Sequence, residues 1–205
     1  TIQSRGLGDV YKRQCSISQR MTIELKEEKT FDTWRLDGRT FNPKKHPHID
    51  YLRKQLPPIE EHPIHIRIRG SIPKASGLGS SAALSVALCG ALQQLRGADL
   101  NPMQASELSH RAEANAQGGR ASPVDTATSS FGGFVVLSDT IEGDLEYLGV
   151  RTMDVEGTTL QWHLHTFNAE IPEGVALVIG NTGVHGSTSA MVKQVADLLL
   201  ENPQR

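Results

Sequence analysis

A glycine-rich turn that runs directly into an amphipathic helix is the feature that most restricts how this chain can fold. The residues are Pro73-Lys-Ala-Ser-Gly-Leu-Gly-Ser-Ser-Ala-Ala83, and apolar side chains then recur at helical spacing at positions 84, 87, 88, 91, 92 and 95. The unpaired N–H groups and the dipole at such a helix start attract anions. No Gly-Lys-Ser/Thr follows the glycines, which excludes a Walker A loop.

The two serines after the glycines leave two interpretations open. Ser80 and Ser81 supply hydroxyls that could hold phosphate oxygens or a magnesium ion. Serine is also a preferred N-cap, so the same residues could simply begin a helix after a flexible lead-in. Short glycine-rich matches have many false positives, and the turn alone does not decide between a phosphate site and a cap.

Length, charge and cysteine content exclude several classes of protein. The 205 residues suffice for one good core or about one and a half domains. A net charge of −2 gives no electrostatic case for binding nucleic acid or a membrane surface. The sequence lacks the apolar run of roughly 18 residues that a transmembrane helix needs, and it has no apolar secretory signal. Cys15 and Cys89 are too few for a disulfide framework, and a cytoplasmic enzyme fits all of these observations.

Periodicity predicts strands and helices in mixed order. Alternating or apolar runs indicate strands at 17–25, near Phe31–Leu36, at 64–68, at 134–137 and at Val175–Ile179. Helices are predicted at 48–55, at 80–95, from Asn101-Pro102 to Gly118-Gly119, and along an apolar face at 191–199. The acidic segment 138–172 contains one alternating run, which suggests an inserted hairpin. Strands and helices that do not alternate strictly predict an α+β fold rather than a doubly wound sheet.

The glycine-rich segment resembles the second signature of the GHMP kinases, a family that includes galactokinase, homoserine kinase, mevalonate kinase and phosphomevalonate kinase. The family pattern has a proline, a few residues and then Gly-Leu-Gly-Ser-Ser-Ala, all of which is present here. Gln117-Gly-Gly-Arg-Ala-Ser-Pro-Val-Asp-Thr-Ala-Thr-Ser-Ser-Phe-Gly-Gly133 resembles the substrate-side loop of the mevalonate kinases within this family, particularly the archaeal type. Val178-Ile-Gly-Asn-Thr-Gly183 resembles the same enzymes.

The resemblance implies a division into domains. Residues 15–170 would form a GHMP kinase N-terminal, ATP-binding domain with a fold like that of a ribosomal protein domain, and residues 171–205 would begin a ferredoxin-like C-terminal domain. Residues 1–14 are predicted to be a non-native leader, since Asp9-Val-Tyr-Lys-Arg-Gln14 reads like a translated sequencing adapter. The chain is therefore expected to be truncated at both ends, and inactive by itself because the family's first and third motifs are missing.

Phosphoryl transfer needs a phosphate cradle, a hard cation, and a group that receives or orients the hydroxyl proton. The resemblance implies one set of residues for each role. Asp125 would face the substrate hydroxyl as the catalytic base, although Asp at this position also fits a helix N-cap or an Asx-turn. Mg²⁺ would be held by Ser81 and Glu113, although Glu113 by itself also fits a solvated helix face. The residues that would bind ATP phosphates are Lys74, Gly77, Leu78, Gly79, Ser80, Ser81 and Ala82.

One departure from the family pattern affects this assignment. The stretch Gly118-Gly119-Arg120 makes the segment between Glu113 and Asp125 one residue longer than is usual in the family. The position of Glu113 therefore depends on how the chain accommodates the extra residue. The eight histidines show no zinc-binding pattern and are predicted to lie on loops and strand surfaces.

The function that the resemblance implies is ATP-dependent phosphorylation of mevalonate to 5-phosphomevalonate in isoprenoid biosynthesis. Mg²⁺ would be the cofactor and ATP the co-substrate, with ATP and mevalonate as partners, no nucleic acid, no membrane, and a homodimer allowed. Two alternatives stay open: another small-molecule kinase of the family, such as a phosphomevalonate kinase, or a non-catalytic ligand-binding regulator of the same fold. The presence of Ser81, Glu113 and Asp125 together favours the enzyme.

Overall fold

The computed structural model describes residues 12–58, 62–72, 76–119, 121–155, 157–169 and 172–180, together with residues 194, 197, 198 and 201. Within these ranges the chain forms eight strands and four longer helices. The strands are β1 (Lys12–Cys15), β2 (Met21–Glu27), β3 (Arg35–Leu36), β4 (Arg39–Thr40), β5 (Ile64–Gly70), β6 (Phe134–Ser138), β7 (Glu146–Val155) and β8 (Thr158–Phe167). The helices are α1 (Pro47–Gln55), α2 (Ser80–Leu95), α3 (Pro102–Ala116) and α4 (Val124–Phe131).

The described strands form two four-stranded sheets. One has the order β1-β6-β8-β7 and is antiparallel throughout. The other has the order β2-β5-β3-β4, in which β3 and β5 run parallel. Ile23 lies opposite Ile68 and Leu25 opposite Ile66, so the alternation of apolar residues in β2 and β5 gives that sheet one apolar face. The mixed content of helices and strands confirms the predicted α+β class.

Local sequence signals explain where the helices begin and end. The Asn101 side chain caps α3, with Oδ1 accepting a hydrogen bond from the backbone N–H of Gln104 at 3.1 Å, and Pro102 occupies the first helical position. After α3, Gly118 and Gly119 adopt φ angles of +64° and +84°, which glycine reaches without steric cost. Both signals were predicted from the sequence.

The helices and sheets bury two apolar clusters. The first joins α1, α2 and α3 to β5 and contains the fully buried Ile49, Ile66 and Leu88. The second joins α4 to β6 and β8 through residues that include Ala127 and Leu164. Cys89 lies in the first cluster, where burial raises the pKa of its thiol to about 11. None of the helices among the described residues combines the length and apolar character that a bilayer crossing requires.

The predicted hairpin is confirmed as the paired strands β7 and β8. Arg151 of β7 is only 3% exposed and ties the hairpin to α3. Its guanidinium forms an ion pair with Glu107 at 3.2 Å and donates a hydrogen bond to the Ser106 hydroxyl at 3.2 Å. The hairpin is therefore attached to the helix that also carries Glu113.

Two predicted strands differ from the structure, and part of the predicted C-terminal region lies outside the described residues. The strand predicted at Val175–Ile179 is wrong: these residues form no strand, and Val178 is 89% exposed. A strand needs a neighbour to pair its backbone groups, and no described strand lies beside this run. The strand predicted near Phe31–Leu36 covers only Arg35–Leu36, because the backbone bends at residues 32–33. Most of the helix predicted at 191–199, and residues 181–183 of the family match, lie outside the described residues.

The predicted domain boundaries stay predictions, with one structural observation beside them. The boundary between residues 14 and 15 falls inside β1, where Gln14 is paired with Val135 of β6. Residues 12–14 thus take part in a sheet although the sequence predicts them to be a non-native leader.

Candidate functional site

The glycine-rich turn places an uncapped helix start next to open space. Gly77 and Gly79 adopt φ angles of +73° and +66°, and a Cβ at either position would meet no heavy atom within 4 Å. Gly79 is the N-cap residue of α2 and makes no side-chain capping hydrogen bond. Ser80 and Ser81 lie inside the helix and are not its N-cap, and among the described residues the N-cap leaves the first backbone N–H groups available to an anion. Ala82 is buried in the first turn of α2, and Lys74 lies outside the described residues.

Glu113 on α3 is brought to the start of α2. Its carboxylate is almost fully buried, with 6% of the residue exposed. The Ser81 hydroxyl lies 2.9 Å from Oε1 and 2.8 Å from Oε2, and it donates to this carboxylate. The structure thus confirms that Ser81 and Glu113 converge, and it rejects the solvated helix face as the position of Glu113.

Two further residues that the sequence analysis missed bind the same carboxylate. The buried Ser85 hydroxyl donates to Oε1 of Glu113 at 2.6 Å, and the Gln117 amide donates to Oε2 at 3.3 Å. Ser85 follows Ser81 by four residues and Gln117 follows Glu113 by four, so each pair lies on one helix face. That spacing is a signal that could have identified both residues.

The charge around Glu113 suits a cation with oxygen ligands. The hydrogen-bond donors to its carboxylate among the described residues are all neutral side chains. No group of three or more His, Cys, Asp or Glu in the described ranges could hold a metal ion. A magnesium ion here would therefore draw on Ser81 and Glu113, with phosphate oxygens and water completing the six ligands that it prefers.

His48, in the first turn of α1, lies within electrostatic reach of Glu113. Burial lowers the pKa of His48 below its ordinary value of 6.5, and the negative charge of Glu113 partly opposes that shift. Its Nε2 atom is buried and has no hydrogen-bond partner in the part of the chain that is described. The prediction that the histidines lie on loops and strand surfaces is therefore wrong for His48, and it is also wrong for the fully buried His110 and His165.

Asp125 lies in a cavity together with the glycine-rich turn. It is an exposed residue in the first turn of α4, whose N-cap is Pro123, so Asp125 does not cap the helix. The cavity has a volume of about 230 Å³, and Asp125, Leu78 and Gly79 are among its lining residues. The structure thus brings the candidate base and the candidate phosphate turn to one opening.

The partner of Asp125 was not predicted. The side-chain amide of Gln14 donates to Oδ1 of Asp125 at 2.6 Å, and the Thr128 hydroxyl donates to Oε1 of Gln14 at 3.3 Å. Gln14 lies on β1, which pairs with β6 next to the start of α4. No pattern in the sequence links residue 14 to residue 125, because the contact depends on the sheet pairing.

Residues 46–133 match the family described as GHMP kinases N terminal domain. This segment contains the glycine-rich turn, Ser81, Glu113 and Asp125. The chain therefore carries a GHMP kinase N-terminal domain.

Curated relatives of the chain include archaeal mevalonate kinases. The mevalonate kinase of Methanothermobacter thermautotrophicus is 42% identical over 117 residues, which are 54% of this chain and 38% of that protein. The mevalonate kinase of Thermococcus sibiricus is 30% identical over 161 residues, which are 76% of this chain and 40% of that protein. The chain thus spans about two fifths of the length of the curated relatives it matches.

Solved structures share the fold. The crystal structure of L. major mevalonate kinase in complex with R-mevalonate aligns with a TM-score of 0.60 at 16% identity, over 96% of this chain and 57% of that chain. The Methanococcus jannaschii mevalonate kinase aligns with a TM-score of 0.50 at 19% identity, over 68% of this chain and 57% of that chain. At these identities the likeness concerns the fold.

Proposed function

We propose that the protein carrying this domain transfers the γ-phosphoryl group of ATP to the 5-hydroxyl of mevalonate, giving 5-phosphomevalonate and ADP for isoprenoid biosynthesis. The observation that carries the proposal is the shared cavity of Gly79 and Asp125, since a phosphate-binding turn and a proton acceptor must meet at one place in a kinase. The curated relatives from Methanothermobacter thermautotrophicus and Thermococcus sibiricus are named mevalonate kinases, which supports mevalonate as the acceptor.

Each residue then has a defined task. The N–H groups at the start of α2 bind phosphate oxygens, and the open space at Gly77 and Gly79 lets the backbone approach them closely. Ser81 and Glu113 would hold Mg²⁺, which when bound neutralises charge on the phosphates. Asp125 accepts the proton of the mevalonate hydroxyl while the hydroxyl oxygen forms a bond to the γ-phosphorus of ATP. The bond between that phosphorus and the leaving oxygen of ADP breaks in the same step.

The test uses the protein expressed from its complete reading frame. ADP release is measured with ATP, Mg²⁺ and R-mevalonate, and the product is identified by its phosphorus NMR signal. We expect one new phosphomonoester signal, and no turnover without Mg²⁺. Transfer to phosphomevalonate, galactose or homoserine instead of mevalonate would contradict the proposed substrate. Binding of both ATP and mevalonate without ADP release would favour a regulator of the same fold.

The site of the reaction and the assembly of the protein are also proposals. We place the reaction in the cytoplasm, and we allow for a homodimer. Fractionation of cells, with the protein traced by antibody, tests the location. Sedimentation equilibrium of the purified protein tests the dimer, because a single species of monomer mass at micromolar concentration would contradict it.

A further inference from the structure

His110 connects α3 to the segment that leads into α4. Its side chain is fully buried, and Nε2 lies 3.0 Å from the carbonyl oxygen of Ala121. A carbonyl oxygen accepts hydrogen bonds and cannot donate them, so Nε2 carries a proton and donates it to Ala121. His110 stands one helical turn before Glu113, and Ala121 stands four residues before Asp125.

The surroundings of the His110 ring favour one protonation state. Burial lowers the pKa of His110, with Arg151 and Arg111 acting in the same direction and Glu107 and the Ala121 hydrogen bond opposing it. Nδ1 is buried without a hydrogen-bond partner among the residues that are described. The ring is therefore neutral near pH 7, with its proton on Nε2.

A second contact fixes the plane of the ring. The His110 ring packs edge-on against Trp162 of β8, with 5.7 Å between centroids and 83° between planes. The orientation of Nε2 towards Ala121 is thus determined from the hairpin side as well as from α3. In contrast, the backbone that leaves α3 passes through Gly118 and Gly119, both at positive φ, and glycine restricts the backbone less than any other residue.

We propose that His110 is a positioning residue for phosphoryl transfer: by donating from Nε2 to Ala121, it fixes where the segment after the two glycines enters α4 and so where Asp125 stands relative to the turn at Gly79. The effect on catalysis rests on the proposed function. The hydrogen bond between His110 and Ala121, and its effect on the order of the backbone, do not. His110 touches neither substrate nor Asp125 in this role.

This role predicts that loss of the His110 hydrogen bond lowers kcat/KM for mevalonate but hardly changes KM for ATP. The phosphate turn and the Ser81–Glu113 pair are built from α2 and α3, and the hydrogen bonds between Ser81 and Glu113 do not involve Ala121. Asp125 does depend on it, because Ala121 and Asp125 are separated only by Ser122, Pro123 and Val124. Misplacing a catalytic group by about 1 Å can cost roughly 100-fold in rate.

The experiment compares three variants of the protein expressed from its complete reading frame. His110→Phe keeps the ring and its packing on Trp162 but removes the donor. His110→Gln removes the ring but places an amide N–H at a similar reach from the backbone. His165→Phe is the matched control, because His165 is also a fully buried histidine bonded to backbone, through Nε2 to the N–H of Glu142, but lies in the sheet of β6 and β8. Melting curves establish that each variant is folded.

Two measurements are made on each variant. Hydrogen exchange followed by mass spectrometry reports the order of the backbone at 121–125, with 134–138 as internal reference. Steady-state kinetics report kcat and the KM values for mevalonate and ATP. For His110→Phe we expect exchange at 121–125 to rise roughly tenfold, kcat/KM for mevalonate to fall roughly 10- to 100-fold, and KM for ATP to stay within about twofold. His110→Gln should restore most of the protection from exchange at 121–125 and most of kcat/KM for mevalonate. His165→Phe should change neither quantity.

The outcomes separate this inference from the proposed function. Unchanged exchange at 121–125 in His110→Phe overturns the inference, and so does raised exchange with unchanged kinetics. Equal losses in His110→Phe and His110→Gln also overturn it, because the ring rather than the donor would then be what matters. A wild-type protein that turns over no mevalonate contradicts the proposed function, whereas the exchange comparison still decides whether His110 orders the segment.

Discussion

The side-chain amide of Gln14 donates a hydrogen bond of 2.6 Å to Oδ1 of Asp125, from a strand that lies 111 residues earlier in the chain. The bond holds the carboxylate of Asp125 at the rim of the cavity that it shares with Gly79. The donor is a neutral amide, so the bond orients the carboxylate of Asp125 while the residue stays exposed to the opening.

Replacing Asp125 by Asn should remove the proton acceptor and keep the side-chain shape. We expect kcat for mevalonate phosphorylation to fall by about 10²- to 10⁴-fold, the usual contribution of a general base. ATP binding, measured by calorimetry, should change little. Asp139→Asn is the control, because Asp139 is an exposed aspartate outside the cavity. Turnover by Asp125→Asn equal to that of Asp139→Asn would leave Asp125 without a catalytic role.

Gly79 and Gly97 form a matched pair for testing the phosphate turn. Their φ angles are +66° and +67°, they flank the two ends of α2, and a Cβ on either would meet nothing within 4 Å. Alanine at each should lower the free energy of unfolding by a similar amount, about 1–2 kcal/mol, because both demand a left-handed backbone. Only Gly79→Ala should raise the KM for ATP, since its methyl group would enter the space next to the helix start. An equal effect of both variants on that KM would argue against phosphate binding at this turn.

Glu113→Gln should separate the charge of Glu113 from its packing. The amide keeps one oxygen for Ser81 and Ser85 but has no negative charge to offer a cation. We therefore expect the Mg²⁺ concentration that gives half-maximal activity to rise at least about tenfold, as befits the loss of one charged ligand. Glu146→Gln, at an exposed position of β7, provides the comparison. The magnesium assignment is wrong if the two variants need the same Mg²⁺ concentration.

Ser85→Ala tests the hydrogen bonds behind Glu113. Its buried hydroxyl donates to Oε1 at 2.6 Å, and its loss leaves a buried carboxylate oxygen with one donor fewer. The free energy of unfolding should fall by about 1–3 kcal/mol in urea denaturation. Ser130→Ala removes a helix serine hydroxyl that is buried without a partner among the described residues, and should cost about 0.5 kcal/mol or less. Equal losses in the two variants would show that the bond to Glu113 contributes no stability.

Acid should destabilise the protein through its buried histidines. Burial lowers the pKa of His48 and of His110 below 6.5 in the folded state, whereas both return to about that value on unfolding. The unfolded chain then binds more protons than the folded chain as the pH falls through 6.5, so the free energy of unfolding decreases in that direction. Each histidine contributes at most about 1.4 kcal/mol per pH unit. Urea denaturation at pH 7.5 and 5.5 should show a smaller drop for His110→Phe than for the wild type, and an identical drop would contradict this account.

The sequence predicted those features that depend on local patterns, which are the start of α2 and the Asn101 cap of α3. The pair Ser81–Glu113 was implied by the family resemblance and not by a local pattern, and the structure brings the two side chains together. The extra residue between Glu113 and Asp125 does not disturb the pair, because it falls in the segment after α3 has ended.

What the sequence did not predict depends on pairing between distant segments. Gln14 reaches Asp125 only because β1 pairs with β6, and no local pattern encodes that register. The strand predicted at Val175–Ile179 failed for the related reason that an apolar run defines a strand only where a partner exists. His110 was overlooked because a single buried histidine has no spacing that marks it.

The two apolar clusters occupy separate stretches of the chain, and this separation has a consequence for synthesis. The buried members of the first cluster lie between Ile49 and Ala112, and those of the second between Val124 and Leu164. Contacts over such limited separations close with little loss of chain entropy, so the first cluster can form while the later residues are still leaving the ribosome. Glu113 follows the first cluster and Asp125 belongs to the helix of the second. We therefore expect a nascent chain to order Ser81 and Glu113, the proposed cation ligands, before Asp125, the proposed proton acceptor.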